Sequence, residues 1–179
     1  MKKIFFVLVA VLSLTACGNG NKSTNNESSA KEETVAISKA VYVDDLLTNA
    51  ASQVDKEVIV KGVITHTCKH SGRRCFIVGQ DQKTSIRVEA KGNIGGFNRE
   101  LIGSEIAVKG ILRENRLTKE YIDQMEEQVN DKQGKEDGSA ETCEAEMNNI
   151  NGMREWMKAN NKDFYSLYFI DGQEYEVIE

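Results

Sequence analysis

The chain has 179 residues, with 23 Lys and Arg set against 28 Asp and Glu and a formal net charge of −5. It carries no strongly basic stripe, which argues against nucleic acid as its partner. It contains no proline, which excludes a polyproline ligand segment or a stiff proline spacer. The charge is unevenly placed. Residues 56–116 hold 12 Lys/Arg and 6 Asp/Glu, whereas residues 117–179 hold 6 and 16. Such a split either presents an anion-binding face beside an acidic surface or lets the two halves neutralise each other.

The first segment, "MKKIFFVLVAVLSLTAC", pairs Lys2 and Lys3 with an apolar run from Ile4 to Leu14. That run is too short to span a bilayer and has the layout of an export signal over residues 1–16. Its ending, Leu14 to Cys17, resembles the lipobox of bacterial lipoproteins. The resemblance implies that Cys17 is lipidated, with palmitate among its acyl chains. It implies a chain held at the cell membrane or outer membrane on the extracytoplasmic side. More than one buried acyl chain makes such an anchor stable. Residues 17–36 are then a tether of Asn, Ser, Lys and Glu, with too little apolar surface to offset the entropy of ordering it.

Residues 37–179 suffice for one domain with a core. "VYVDDLLTNAASQV" (41–54) reads as a short helix capped by Asp44 or Asp45. "EVIVKGVI" (57–64) and "EIAVKGIL" (105–112) share one pattern 48 residues apart, and both read as β-strands with a glycine suited to a bulge or bend. Strands at 75–80 and 84–90 lie between them, joined by a turn at "GQDQKT", and a short helical piece falls near 97–101. Leu117, Tyr121, Ile122, Met125 and Val129 then trace a helical stripe that Thr118 can cap. After a polar break, Cys143, Met147, Ile150, Met153 or Arg154, and Met157 trace a second stripe. Asp171-Gly172 is a strong hairpin signal and predicts two short closing strands.

The order strand, strand, strand, short helix, strand, last strand is that of a small Greek-key barrel. "VDDLL…DKEVIVKGVITH…CFIVG…IRVEA…IGSEIAVKGIL" resembles the bacterial proteins that carry an OB-fold domain of the tRNA-anticodon-like kind. The resemblance implies a mainly β fold with α elements: a five-stranded OB-like Greek-key barrel. A two-helix insertion, residues 117–160, would separate its fourth and fifth strands. The signal peptide and flexible tether precede it. The label concerns ancestry and implies no tRNA binding.

One stretch concentrates the chemistry. "HTCKHSGRRC" (66–75) contains both histidines of the chain, two cysteines and three basic residues. It would connect the first two barrel strands, while the helical insert connects the last two. Loops in those places grip ligands in OB-folds. A two-residue turn at Ser71-Gly72 would set Cys68 opposite Cys75, within disulfide reach. It would also project His66, Cys68, His70 and Cys75 from one side, a donor set suited to zinc or copper. Cys143, at the start of the second helix, could supply a distant ligand. Disulfide, metal site and plain hairpin all stay open here, and Lys69, Arg73 and Arg74 are candidates for holding an anionic group.

No catalytic constellation is present. G-x-S-x-G, H-E-x-x-H and P-loop patterns are missing, and six residues separate the hairpin cysteines, unlike the two of a redox C-x-x-C pair. The sequence therefore points to a lipid-anchored, non-enzymatic binding module of the envelope. Its partner would be an envelope protein or a small anionic ligand. The rival readings are a metal- or haem-handling lipoprotein and a structural envelope lipoprotein whose hairpin is pinned by a Cys68–Cys75 disulfide.

Overall fold

The computed structural model describes residues 38–133 and 140–178, so the leader, Cys17 and the tether lie outside the described residues. In chain order the elements are β1 (Val41–Tyr42), α1 (Val43–Thr48), α2 (Ala50–Gln53), β2 (Glu57–Thr67), β3 (Arg74–Val78) and β4 (Ser85–Ala90). A 3₁₀ turn (Arg99–Leu101), β5 (Glu105–Thr118), α3 (Lys119–Gln133), α4 (Ala140–Ala159) and β6 (Phe164–Ile178) complete them.

The strands run in the order β1-β2-β3-β4-β6-β5, and β2 also pairs with β5, which closes β2, β3, β4, β6 and β5 into a barrel. All neighbours in the ring are antiparallel except β4 and β6, which are parallel. This connectivity is consistent with an OB-like barrel. The two echoing segments turn out to be partners. Along the antiparallel β2–β5 ladder Val60 lies opposite Val108, the same position of each echo, and both are completely buried. Repetition of the pattern thus puts two β-branched wedges face to face in the core, where each contributes on the order of 1.5–3 kcal/mol by burial.

Closure depends on a bulge. The β5–β6 register shifts between Lys109 and Gly110, and Gly110 lies opposite Gly172. A Cβ on Gly110 would come 2.4 Å from the Asp171 carbonyl oxygen and 2.8 Å from Ile170 Cγ2. The backbones approach there more closely than any side chain permits. This overturns the expected hairpin at Asp171-Gly172. The pair sits inside one strand running from Phe164 to Ile178, because Asp-Gly here serves the bulge rather than a reversal. Within that strand Ser166 and Ile170 are buried, Tyr168 packs on the barrel core and Tyr165 packs on the helices.

Beyond Arg113, β5 and β6 pair only with each other, from Glu114↔Tyr168 to Thr118↔Phe164. Two strands alone are marginal in water. The helices α3 and α4 stabilise this stem with a second core of Leu117, Ile122, Val129, Cys143, Ile150, Met153 and Met157. That core is distinct from the barrel's. Thr118 Oγ1 accepts a hydrogen bond from the Tyr121 backbone N–H at 3.3 Å and caps α3 as its sequence suggests. Tyr121 itself is half exposed. Between the helices, Arg154 Nη2 donates to Asp123 Oδ1 at 2.7 Å and to Glu126. Both carboxyls are thereby held below the usual carboxylate range, Glu126 chiefly by Arg154 and Asp123 by Lys119 and then Arg154.

In α1, the expected cap role of Asp44 and Asp45 is not what is found. The α1 N-cap position is Tyr42, without a side-chain cap. Asp44 Oδ1 instead accepts from the Gln80 backbone N–H at 2.9 Å, tying α1 to the β3–β4 turn.

A cationic and aromatic face beside the 68–73 loop

The ladder between β2 and β3 pairs Ile64 with Ile77, His66 with Phe76 and Thr67 with Cys75, with a register shift between Ile64 and His66. Thr65 is the extra residue. The bulge breaks the period-two alternation, so Thr65 and His66 are both exposed while Ile64 and Thr67 are buried. One inserted residue moves every following side chain to the other face.

The expected hairpin geometry fails for this reason. Cys75 lies opposite Thr67, not Cys68, and its side chain is completely buried in the barrel core. Cys68 sits outside the ladder, its backbone N–H donating to the Arg74 carbonyl at 2.9 Å. The connection is a six-residue loop, 68–73, rather than a two-residue turn. It closes with the Gly72 N–H donating to the Cys68 carbonyl at 3.0 Å. Gly72 has φ 60°, and a Cβ there would meet the Phe97 carbonyl oxygen at 3.1 Å. Cys68, Cys75 and Cys143 are all free thiols, and the expected Cys68–Cys75 disulfide is replaced by one thiol inside the barrel and one outside. The four-ligand set divides in the same way. His66, Cys68 and His70 border one cleft, and Cys75 is on the far side of the sheet. Among the described residues, no group of three or more His, Cys, Asp or Glu is placed to hold a metal ion. Cys143 is buried between the helices of the stem rather than near the hairpin.

What the bulge assembles instead is a cleft of about 340 Å³ on the outer wall, lined by His66, Cys68, Lys69, His70, Arg74, Phe76 and Arg87. Its floor follows the sheet register. His66 is opposite Phe76, Phe76 opposite Arg87 and Arg87 beside Phe169, across β2, β3, β4 and β6. The His66 and Phe76 rings are 6.1 Å apart, and the Arg87 guanidinium lies 4.9 Å from the centre of the Phe169 ring. Phe76 is one of the few large apolar side chains left exposed, at 36%.

Charge is unbalanced in this cleft. Glu89 lies 3.0 Å from both Arg74 Nε and Arg87 Nε, so one carboxylate serves two guanidinium groups. Arg74 donates a hydrogen bond to Glu89 Oε2 at 3.2 Å. Arg87 Nε, though close to Glu89, lacks hydrogen-bonding alignment and is a buried donor without a partner. Lys69 adds a further positive charge at the rim. Of the three basic residues singled out by sequence, Lys69 and Arg74 therefore border the cleft. Arg73 is exposed but does not line it, and its carbonyl accepts from Ala90 N–H at 2.8 Å.

The partly exposed Cys68 thiol is drawn below its ordinary value of 9.0. The backbone N–H groups of His70 and Ser71 favour the thiolate first, and the Ser71 hydroxyl donates to Sγ at 3.7 Å. Arg87, Phe76 and Glu89 were not singled out by the sequence reading. The signal was available: they are outward positions, at period two, of the strands next to the suspicious loop.

Residues 1–17 match the prokaryotic membrane lipoprotein lipid attachment site, ending on Cys17. The chain carries a lipoprotein anchor. It is therefore a lipid-anchored, membrane-associated protein on the extracytoplasmic side. No curated protein matches it. Among the described residues no helix is long and apolar enough to cross a membrane.

Proposed function

We propose that this lipoprotein is a non-enzymatic binding module of the cell envelope. The outer wall of β2–β4 and the 68–73 loop hold an anionic group carried by a small ligand or an envelope protein. The observation behind this reading is the Arg74–Glu89–Arg87 arrangement. Two guanidinium groups share one carboxylate beside an exposed Phe76, and the Arg87 Nε–H is left without an acceptor. Two guanidinium groups against one carboxylate leave a surplus of positive charge at the cleft, which an anionic group would meet with charge-assisted hydrogen bonds. The aromatic row supplies apolar area, and OB-like barrels use this wall and these loops for ligands. The lipid anchor holds the face within a tether's reach of the membrane.

A metal- or haem-handling role is less well supported, since Cys75 faces the core and only His66, Cys68 and His70 remain at the cleft. A purely structural role leaves the surplus positive charge beside the exposed Phe76 without a purpose.

The test is a titration of isotope-labelled protein with short-chain polyphosphate and with a neutral dextran oligomer. Amide resonances of Lys69, Arg74, Phe76 and Arg87 should move together with polyphosphate and stay still with dextran. Arg74→Ala with Arg87→Ala should abolish the movement. Shifts confined to other surfaces, or undiminished in the double variant, would remove this face from consideration.

A further inference from the structure

A second cleft, of about 400 Å³, lies where the stem helices meet the start of the domain. One wall is the α1–α2 corner, with Thr48, Asn49, Ala51 and Ser52. The other is the end of α4 and the start of β6, with Trp156, Asn160, Lys162 and Tyr168. It shares no lining residue with the cleft beside the 68–73 loop.

The chemistry of the two clefts differs. Trp156, the chain's only tryptophan, is half-buried and held edge-on to Tyr165, ring centroids 5.2 Å apart at 78°. Its ring is thus a fixed apolar platform. The facing wall contributes short polar side chains rather than long charged ones. Several polar donors of the two walls are already engaged: Thr48 Oγ1 to the Asp45 carbonyl at 2.6 Å, Ser52 Oγ to the Asn49 carbonyl at 2.9 Å and Asn160 Nδ2 to the Trp156 carbonyl at 2.8 Å. Those bonds fix the amide and hydroxyl groups in place and leave acceptor capacity at the rim, since an amide oxygen carries two lone pairs. Lys162 is the one charged side chain lining the cleft. Its ammonium lies 4.9 Å over the Phe164 ring rather than in an ion pair among the described residues.

From this combination we propose that the cleft is a saccharide site, selective for a sugar bearing a carboxylate. A sugar ring has one apolar C–H face, which Trp156 would cover. Its rim of hydroxyls needs acceptors such as the Asn49 and Asn160 amides. Its acidic substituent would meet Lys162. A purely apolar ligand would leave the polar rim unused. A polyanion would find a single cation there, unlike the hairpin face. The lipid anchor places this cleft in the compartment that contains the envelope glycan.

The experiment uses the full-length lipidated protein in detergent micelles and follows tryptophan fluorescence, which reports on this cleft alone. It compares an oligosaccharide containing N-acetylmuramic acid with an uncharged chitin oligosaccharide of equal length. The acidic sugar should give a saturable change. Lys162→Gln should weaken it about tenfold and leave the uncharged sugar unaffected, as expected for loss of one charge-assisted hydrogen bond. Asn160→Ala should weaken both sugars. These two residues are exposed, so both variants should fold, which circular dichroism checks. No saturable change with either sugar overturns the site. Equal affinity for both sugars, indifferent to Lys162→Gln, overturns the selectivity.

Discussion

The separation of the two hairpin sulfurs by the barrel wall can be tested through their reactivity and then through stability at alkaline pH. Burial pushes the Cys75 thiol from 9.0 to about 12, whereas hydrogen bonds draw the Cys68 thiol down. At pH 8 an ordinary thiol is about one-tenth thiolate, and a thiol at about 12 is on the order of one part in ten thousand. Ionisation alone therefore slows Cys75 about a thousand-fold, before its enclosure is counted. In the native protein at pH 8, iodoacetamide followed by peptide mass spectrometry should label Cys68 within the time that leaves Cys75 intact. Unfolding in urea should equalise them. The stability consequence has a definite sign. Between pH 9 and 12 the unfolded chain has lost the Cys75 proton and the folded chain has kept it, so the unfolded state binds fewer protons and stability falls as pH rises. The contribution is fully present below pH 9 and is lost progressively towards 12, a change of about 4 kcal/mol at 1.36 kcal/mol per unit. Urea titrations of the parent and Cys75→Ala should show this extra slope in the parent alone. Equal native labelling of both thiols, a Cys68–Cys75 disulfide in protein purified without reductant, or identical alkaline slopes would refute the register described here.

Two other substitutions probe the same wall. Gly110→Ala places a Cβ against the Asp171 carbonyl oxygen and Ile170 and should cost about 1–3 kcal/mol by overpacking, read as a lower urea midpoint with unchanged slope. Thr67 is 2% exposed and its hydroxyl has no partner among the described residues. Thr67→Val keeps the shape, removes the orphaned group and should stabilise the domain by about 1–2 kcal/mol in the same measurement.

The sequence predicts regular features better than exceptions to them. The echoing strands are found, with their apolar positions inward, because alternation of β-branched residues is a direct imprint of a half-buried sheet. The helical stripes are found for the same reason: Ile122, Val129, Cys143, Ile150, Met153 and Met157 are all buried. The 66–75 stretch does connect the first two barrel strands, but the geometry expected of it fails because of Thr65. Nothing in "ITHT" announces that two successive residues face outward, and the consequence falls on every side chain after it. Asp171-Gly172 misleads in the converse way. A dipeptide that favours reversal is spent on a bulge, since only the partner strand's Gly110, distant in sequence, reveals why a glycine is needed there. Arg87 and Glu89 join the site through register with β3, which no local pattern encodes.

Both strands of the stem pass without interruption into the barrel wall, β5 from Glu105 to Thr118 and β6 from Phe164 to Ile178. The helical cap is consequently mounted like a mast rather than hung like a lid. Force applied to it is delivered along two unbroken strands to the cylinder they help to form.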